Sequence, residues 1–315
     1  MPFEGAAAVA AGHRRERWIG LLCALLLLAI WAAYILLTRF SVRAHFAPAD
    51  LLALRVGIGG AVMLPWFARR GLGHLHLGQG FALALTAGIG FGALSYGGFV
   101  FAPVAHASAL QTGALPLYTA LLALLVLHER FSRGRLLGLA LIVVGVALMG
   151  VESVSSGEPG QWRGDVLYSA ASFMWAIFAV LAQRWDVRPL QATSVVYVLS
   201  AVLYLPVYAV AFEPKLLAAP PVELAVQAVL QGVFANLVSL FLFSRVTQAF
   251  GAASTAMLTA AASLFVPALG ILTLGERPSP MAWTGLVCVA AGVLVAFLVV
   301  RPRKASTPAS SRAAQ

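Results

Sequence analysis

The side chains able to do acid–base or metal chemistry are few, and their spacing supports neither. There are 11 Asp and Glu and 6 His in 315 residues. His74 and His76 share one short loop, and His106 and His128 flank a single apolar run, with no carboxylate-rich or Cys/His spacing beside them. Cys23 and Cys288 lie in separate apolar runs, where a thiol behaves as a small hydrophobe. No G-x-S-x-G, H-E-x-x-H or phosphate-loop motif occurs, and Gly88-Ile89-Gly90-Phe91-Gly92 lies inside an apolar run, where glycines serve helix packing. No catalytic residue, metal site or cofactor is expected, so the chain does not read as an enzyme.

What remains is a set of polar and aromatic residues embedded in apolar surroundings. Trp31, Tyr34, Trp175 and Phe178 offer large faces with polar edges, suited either to lining a cavity or to packing helices. Asn236 lies deepest among the amides Gln227, Gln231 and Asn236, with Ser95, Tyr96 and Ser239 at a similar level. In hydrocarbon such groups must face protein or a water-filled cavity. Arg55 is the one cation expected within a span, either snorkelling to the interface or attracting an anionic substrate group. Glu129 and Glu276 sit at helix C-termini, where a negative charge is unfavourable without a compensating Arg or the amides of the next helix.

The elements that must position these residues are membrane-spanning helices. Hydrophobic residues make up 61% of the chain and charged ones 10%, against about 25% charged in soluble domains. Mean hydropathy is +0.91. Ten apolar segments are long enough to span a bilayer: 18–38, 49–67, 78–101, 106–127, 133–150, 165–183, 191–211, 223–244, 251–274 and 281–300. The apolar run after Arg14, Arg15 and Arg17 is too long for a signal peptide and reads as a first helix. The tail from Arg301 to Gln315 reads as disordered, basic and cytoplasmic.

The net charge of +10 reflects topology rather than nucleic-acid binding, since no segment presents a basic face with aromatic partners. With the N-terminus inside, cytoplasmic segments carry 15 Lys and Arg and outer ones 5. That bias places both termini in the cytoplasm and requires an even number of spans.

The chain repeats itself. Glu129-Arg130-Phe131-Ser132 recurs as Glu276-Arg277-Pro278-Ser279, followed at the same offset by Gly138/Gly285 and Gly145/Gly292. Ser132 and Ser279 are placed to cap the following helices, and Pro280 suits a first helical position. Trp31-Ala32-Ala33-Tyr34 resembles Trp175-Ala176-Ile177-Phe178, and Gly90, Phe99 and Phe101 match Gly232, Phe241 and Phe243. Five spans per half is an odd number, so the second half enters the membrane inverted, as in many secondary transporters.

These motifs, with Arg55, Pro116 and Glu129 thirteen residues later, resemble an EamA-type member of the drug/metabolite transporter superfamily. The resemblance implies an all-α membrane protein of two inverted five-helix repeats, 18–150 and 164–300, followed by the tail at 301–315. It implies a permease or exporter moving a small metabolite, such as an amino acid or related compound, across the cytoplasmic (inner) membrane by alternating access. The alternative is a non-transporting membrane sensor or assembly protein. The implied substrate cavity comprises Trp31, Tyr34, Tyr96, Trp175, Phe178, Asn236 and Ser239, and the structural or gating residues are Arg55, Pro116, Glu129, Pro267 and Glu276. Ser263 stands where the second repeat should have a proline, and Pro267 follows four residues later. The expected partners are a small-molecule substrate and membrane lipids, with no nucleic acid; a homodimer is left open.

Every acid is expected in a loop or near a span end, with none in helices 1 and 6. That pattern favours substrate moving down its own gradient over a proton relay at the bilayer centre.

Overall fold

A chain with few charges and apolar runs of about 20 residues satisfies its backbone in lipid by forming helices, a barrel strand needing only about 10. The computed structural model describes residues 3–126, 131–155, 159–213, 216 and 219–298, and all regular elements among them are helical. In chain order they are α1 (Phe3–Ala44), α2 (Pro48–Arg70), α3 (Leu77–Phe101), α4 (Val104–Val126), α5 (Arg133–Ser155), α6 (Gln161–Arg184), α7 (Pro189–Ala211), α8 (Pro221–Thr247), α9 (Ala260–Leu274) and α10 (Pro280–Leu298). Nine helices among the described residues are long and apolar enough to cross a membrane, and α9 is a shorter apolar one. Glu129 and the tail 301–315 lie outside the described residues.

Several helices run longer than expected. The span in α1 reaches Ala44 rather than residue 38, so Arg39 and Arg43 belong to the helix and not to a loop. α6 starts at Gln161, so Asp165, the first residue of the expected span 165–183, lies a full turn inside the helix, correcting the expectation that helix 6 holds no acid. The expected loop between residues 244 and 251 is itself helical, the backbone being helical from Ser239 to Leu274, although Glu223 before it and Glu276 after it both meet the end of α1, so the chain turns back within this run. The intervening sequence has no proline and a single glycine, Gly251.

Helix ends follow local chemistry. Ala102 is extended (φ −119°, ψ 149°) because a residue before proline avoids the helical region, and Pro103 then opens α4. Ser132 Oγ accepts the Arg135 amide at 3.3 Å, and Ser279 Oγ accepts the Ala282 amide at 3.0 Å, so both serines cap as expected. Three stretches widen into π-helical turns: Ala84–Gly90 in α3, Ala107–Gly113 just before Pro116 in α4, and Leu230–Val238 in α8. Such turns concentrate at functional positions.

The main packing partners cross between halves. α1 packs along the α8–α9 run, α6 along α3 and α4, α2 against α7, and α5 against α10. Adding five to each helix number maps this set of pairs onto itself. The α5–α10 seam depends on glycine. A Cβ on Gly145 would fall 2.6 Å from the Gly285 carbonyl oxygen, and one on Gly292 would fall 2.6 Å from that of Gly138. Buried Ile142, Met149, Leu286, Val289 and Val293 fill the rest.

Candidate functional site

Arg55 lies a third of the way along α2 and is buried, 3% exposed. Its guanidinium carbon stands 5.2 Å from the Phe91 ring centroid and 5.8 Å from that of Tyr197, within cation–π range. It also reaches the hydroxyls of Tyr96 and Tyr197, and Tyr34 is near enough to interact electrostatically. It does not snorkel. No described carboxylate pairs with it, and its Nε has no hydrogen-bond partner.

From Tyr96 a directed chain of hydrogen bonds runs toward one end of the molecule. Tyr96 donates to Gln231 Oε1 (2.8 Å), and Gln231 Nε2 donates to Gln227 Oε1 (3.0 Å) and Thr38 Oγ1 (2.8 Å). Gln227 Nε2 donates to Ser41 Oγ (2.9 Å), and Ser41 donates to Glu223 Oε1 (2.6 Å), whose other oxygen meets His45 Nδ1 at 2.7 Å. Each donor points away from Arg55 and toward the carboxylate, the polarity expected of a chain strung between a cation and an anion. Gln227 and Gln231 therefore carry the polar contact of α8 with α1. Asn236 instead donates to the Gln231 carbonyl (2.5 Å) and Ser239 to that of Phe234 (2.9 Å), both across the widened turn of their own helix.

The same end carries three further clusters. Arg39 Nε pairs with Glu276 Oε1 at 3.1 Å, and Arg39 also donates to the Phe99 carbonyl. Glu276 Oε2 accepts the Val104 amide at 2.8 Å. The compensating groups that Glu276 requires thus come from α1 and from the start of α4, in the other half, rather than from the next helix. Beside them His106 Nδ1 lies 2.7 Å from Asp165 and Nε2 lies 3.3 Å from Glu152, with Ser153 donating to Asp165 and Gln161 Nε2 3.0 Å from His106 Nε2. Asp50 closes α2 onto α7, accepting from Tyr208 at 2.5 Å, while Tyr204 donates to the Ala49 carbonyl at 3.2 Å. Sequence spacing scattered these histidines and acids. The fold unites His106 with Glu152 and Asp165, which are 46 and 59 positions away, because alternating helix direction brings the ends of α3, α5 and α9 beside the starts of α4, α6 and α10.

Toward the other end the contacts between α1 and α8 are apolar. Cys23 and Leu27 pack on Leu242 and Val246, and Trp31 lies 6.5 Å from Phe243. Trp175 stacks obliquely between Phe91 (4.9 Å) and Phe178 (5.4 Å). Trp31, Trp175, Phe178 and Asn236 are half-buried, whereas Tyr34, Tyr96 and Ser239 are buried. The two tryptophans fall in separate clusters, one between α1 and α8 and the other between α6 and α3. Pro116 is half-buried just past the widened turn of α4, and Pro267 lies inside α9.

Comparison with known proteins bears on both halves. A chain of Bacillus subtilis (strain 168) named uncharacterized transporter YyaM is 26% identical over 284 residues, covering 85% of this chain and 90% of that one. A crystal structure of a protein 19% identical in sequence shares the fold with a TM-score of 0.60, covering 91% of this chain and 99% of that one. The profile of the EamA-like transporter family matches twice, over 18–151 and 162–298. One profile thus accounts for each half of a multi-pass membrane protein, and the chain belongs to the EamA-like transporter family, the EamA-type branch of the drug/metabolite transporters.

Proposed function

We propose that this protein is a secondary transporter that moves a small metabolite across the cytoplasmic membrane by alternating access, with both termini in the cytoplasm. The observation that carries the reading is the crossed pairing of helices, which is unchanged when the two halves are exchanged. A structure built that way can present the same packing with either end closed, provided the second half is inverted, as its odd number of spans requires.

The conformation described is closed at the end where Arg39, Glu276, His106, Asp165 and Glu223 gather. The excess of Lys and Arg on the opposite loops assigns that end to the outside. The aromatic residues Trp31, Trp175 and Phe178 then line the approach from the cytoplasm, and the Arg39–Glu276 pair serves as the outer clasp. The duplicated block at Glu129 is the corresponding inner clasp by sequence.

The test is solute flux. Purified protein in liposomes is offered a panel of labelled organic acids, amino acids, amines and neutral solutes, and uptake and counterflow are measured. Saturable counterflow of at least one class supports transport. A folded preparation that passes none of them, while a related carrier prepared in parallel does, removes the reading.

A further inference from the structure

Among the described residues Arg55 is a buried charge with no opposite charge paired to it. Arg39 has Glu276, His106 has Asp165 and Glu152, and Asp50 is bound by Tyr208. Around Arg55 the described residues supply only tyrosines and a phenylalanine, and the acid at the end of its hydrogen-bond chain, Glu223, is separated from it by four intervening side chains. A cation held at membrane depth is costly unless something negative reaches it. Two aromatic faces return only part of that cost.

Two buried polar atoms within electrostatic reach of each other also lack hydrogen-bond partners. Among the described residues Arg55 Nε has no acceptor, and the Tyr34 hydroxyl, 9% exposed as a residue, has no hydrogen-bond partner. Both are donors, and both would be satisfied by one acceptor with two lone pairs to spare. From Arg55 the rings of Phe91, Trp175 and Phe178 run as a contiguous aromatic track, with centroid spacings of 4.9 and 5.4 Å, out to half-buried positions.

We propose that Arg55 and the Tyr34 hydroxyl form an anion subsite on the translocation pathway, taking the carboxylate of a small organic acid whose apolar body lies along Phe91, Trp175 and Phe178. The assignment rests on the transporter reading and narrows its substrate class. A planar guanidinium matches a carboxylate in two parallel hydrogen bonds. A single cation suits a monoanion better than a phosphate ester carrying two charges. No described carboxylate interacts with Arg55 in a position to receive an ammonium group, which selects plain organic acids over amino acids.

The experiment measures equilibrium binding of labelled phenylacetate to the purified full-length protein, with phenylacetamide and phenylalanine as competitors. Phenylacetate is expected to bind saturably and to be displaced at least about tenfold more weakly by either competitor than by itself, because each loses or compromises the charge-assisted pair. Arg55→Gln should lower affinity by about tenfold or more. Tyr34→Phe should lower it several-fold while leaving thermal stability unchanged, since the hydroxyl has no protein partner to lose; this variant keeps the test valid if Arg55→Gln does not fold. Absence of saturable phenylacetate binding, equal binding of phenylacetamide, or wild-type affinity in Tyr34→Phe overturns the subsite. Flux measured in parallel separates the two readings. Amine or neutral-solute counterflow untouched by both substitutions overturns the anion subsite and leaves transport standing. Selective phenylacetate binding lost in both variants, with no flux of any solute, supports the anion site and removes transport.

Discussion

Arg39 and Glu276 stand 237 positions apart in sequence and 3.1 Å apart in the fold, with side chains 2% and 7% exposed. The pair ties the end of α1 to the end of α9, and the Val104 amide on Glu276 draws in the start of α4. Three helices from both halves are thereby fixed at one membrane face.

Removing one partner should therefore be far worse than removing both. Glu276→Gln leaves the buried Arg39 charge uncompensated and should destabilise by about 3–5 kcal/mol, and Arg39→Met, which leaves Glu276 the exposed Arg43 at 4.0 Å, by less. The double replacement Arg39→Met with Glu276→Met should recover a large part of that loss. Unfolding of the four proteins in detergent, analysed as a double-mutant cycle, checks this. Additive losses would show that the two side chains do not act as a pair. Substrate preference among variants that fold should be unchanged.

At the α5–α10 seam the close approach of backbones predicts a different kind of failure. Gly145→Ala and Gly292→Ala each place a methyl group 2.6 Å from a facing carbonyl oxygen. Each should destabilise by roughly 1–3 kcal/mol through overpacking. Gly150→Ala, where nothing lies within 4 Å of the new atom, is the control and should be silent. Thermal inactivation midpoints distinguish the three.

How much of this was legible in the sequence depends on the range of the interaction. Apolar run length located the helices, because it is a local property of backbone and solvent. The serine caps were legible for the same reason, being set three residues from their amides. The partners of Glu276 were not, since Arg39 lies in the other half and reads as a loop residue once α1 is ended at residue 38. His106 and Asp165 are each unremarkable alone, and only antiparallel helix packing places them 2.7 Å apart. Asn236 looked the best cavity-facing amide by depth. The widened turn at Leu230–Val238 supplies it with a backbone acceptor that sequence periodicity does not reveal.

Under the orientation proposed above, labelling should follow the end held by Arg39 and Glu276. On a background without Cys23 and Cys288, cysteines placed at Trp31, Trp175 and Asn236 should react with a membrane-impermeant thiol reagent from the cytoplasmic side and be protected from the outside. Loss of the Arg39–Glu276 pair should raise outside reactivity. Positions unreactive from both sides in all variants would show that these residues line no pathway.

Coupling to protons can be settled in the same liposomes. The bilayer-centre stretch of the described helices offers no acid, which favours flux down the substrate gradient, while His106, Glu152 and Asp165 form a protonatable group near one face. An imposed pH gradient with no substrate gradient should drive no accumulation. Accumulation that collapses with a protonophore would overturn the facilitative mode. Its loss in Asp165→Asn, with exchange retained, would then place the proton at this cluster.

The crossed pairing of helices also sets a timetable for the ribosome. Arg39 enters the membrane with α1, but Glu276 is made 237 residues later. At about 5–20 residues per second that is a wait of roughly 12–50 s. Throughout that interval the nascent chain holds a cation at the bilayer edge and the long apolar flank of α1 with no mate. Chaperoning by the insertion machinery, rather than stepwise folding of one half and then the other, is what such an interlaced chain demands. A truncated first half should accordingly be inserted and then degraded rather than accumulate as a folded unit.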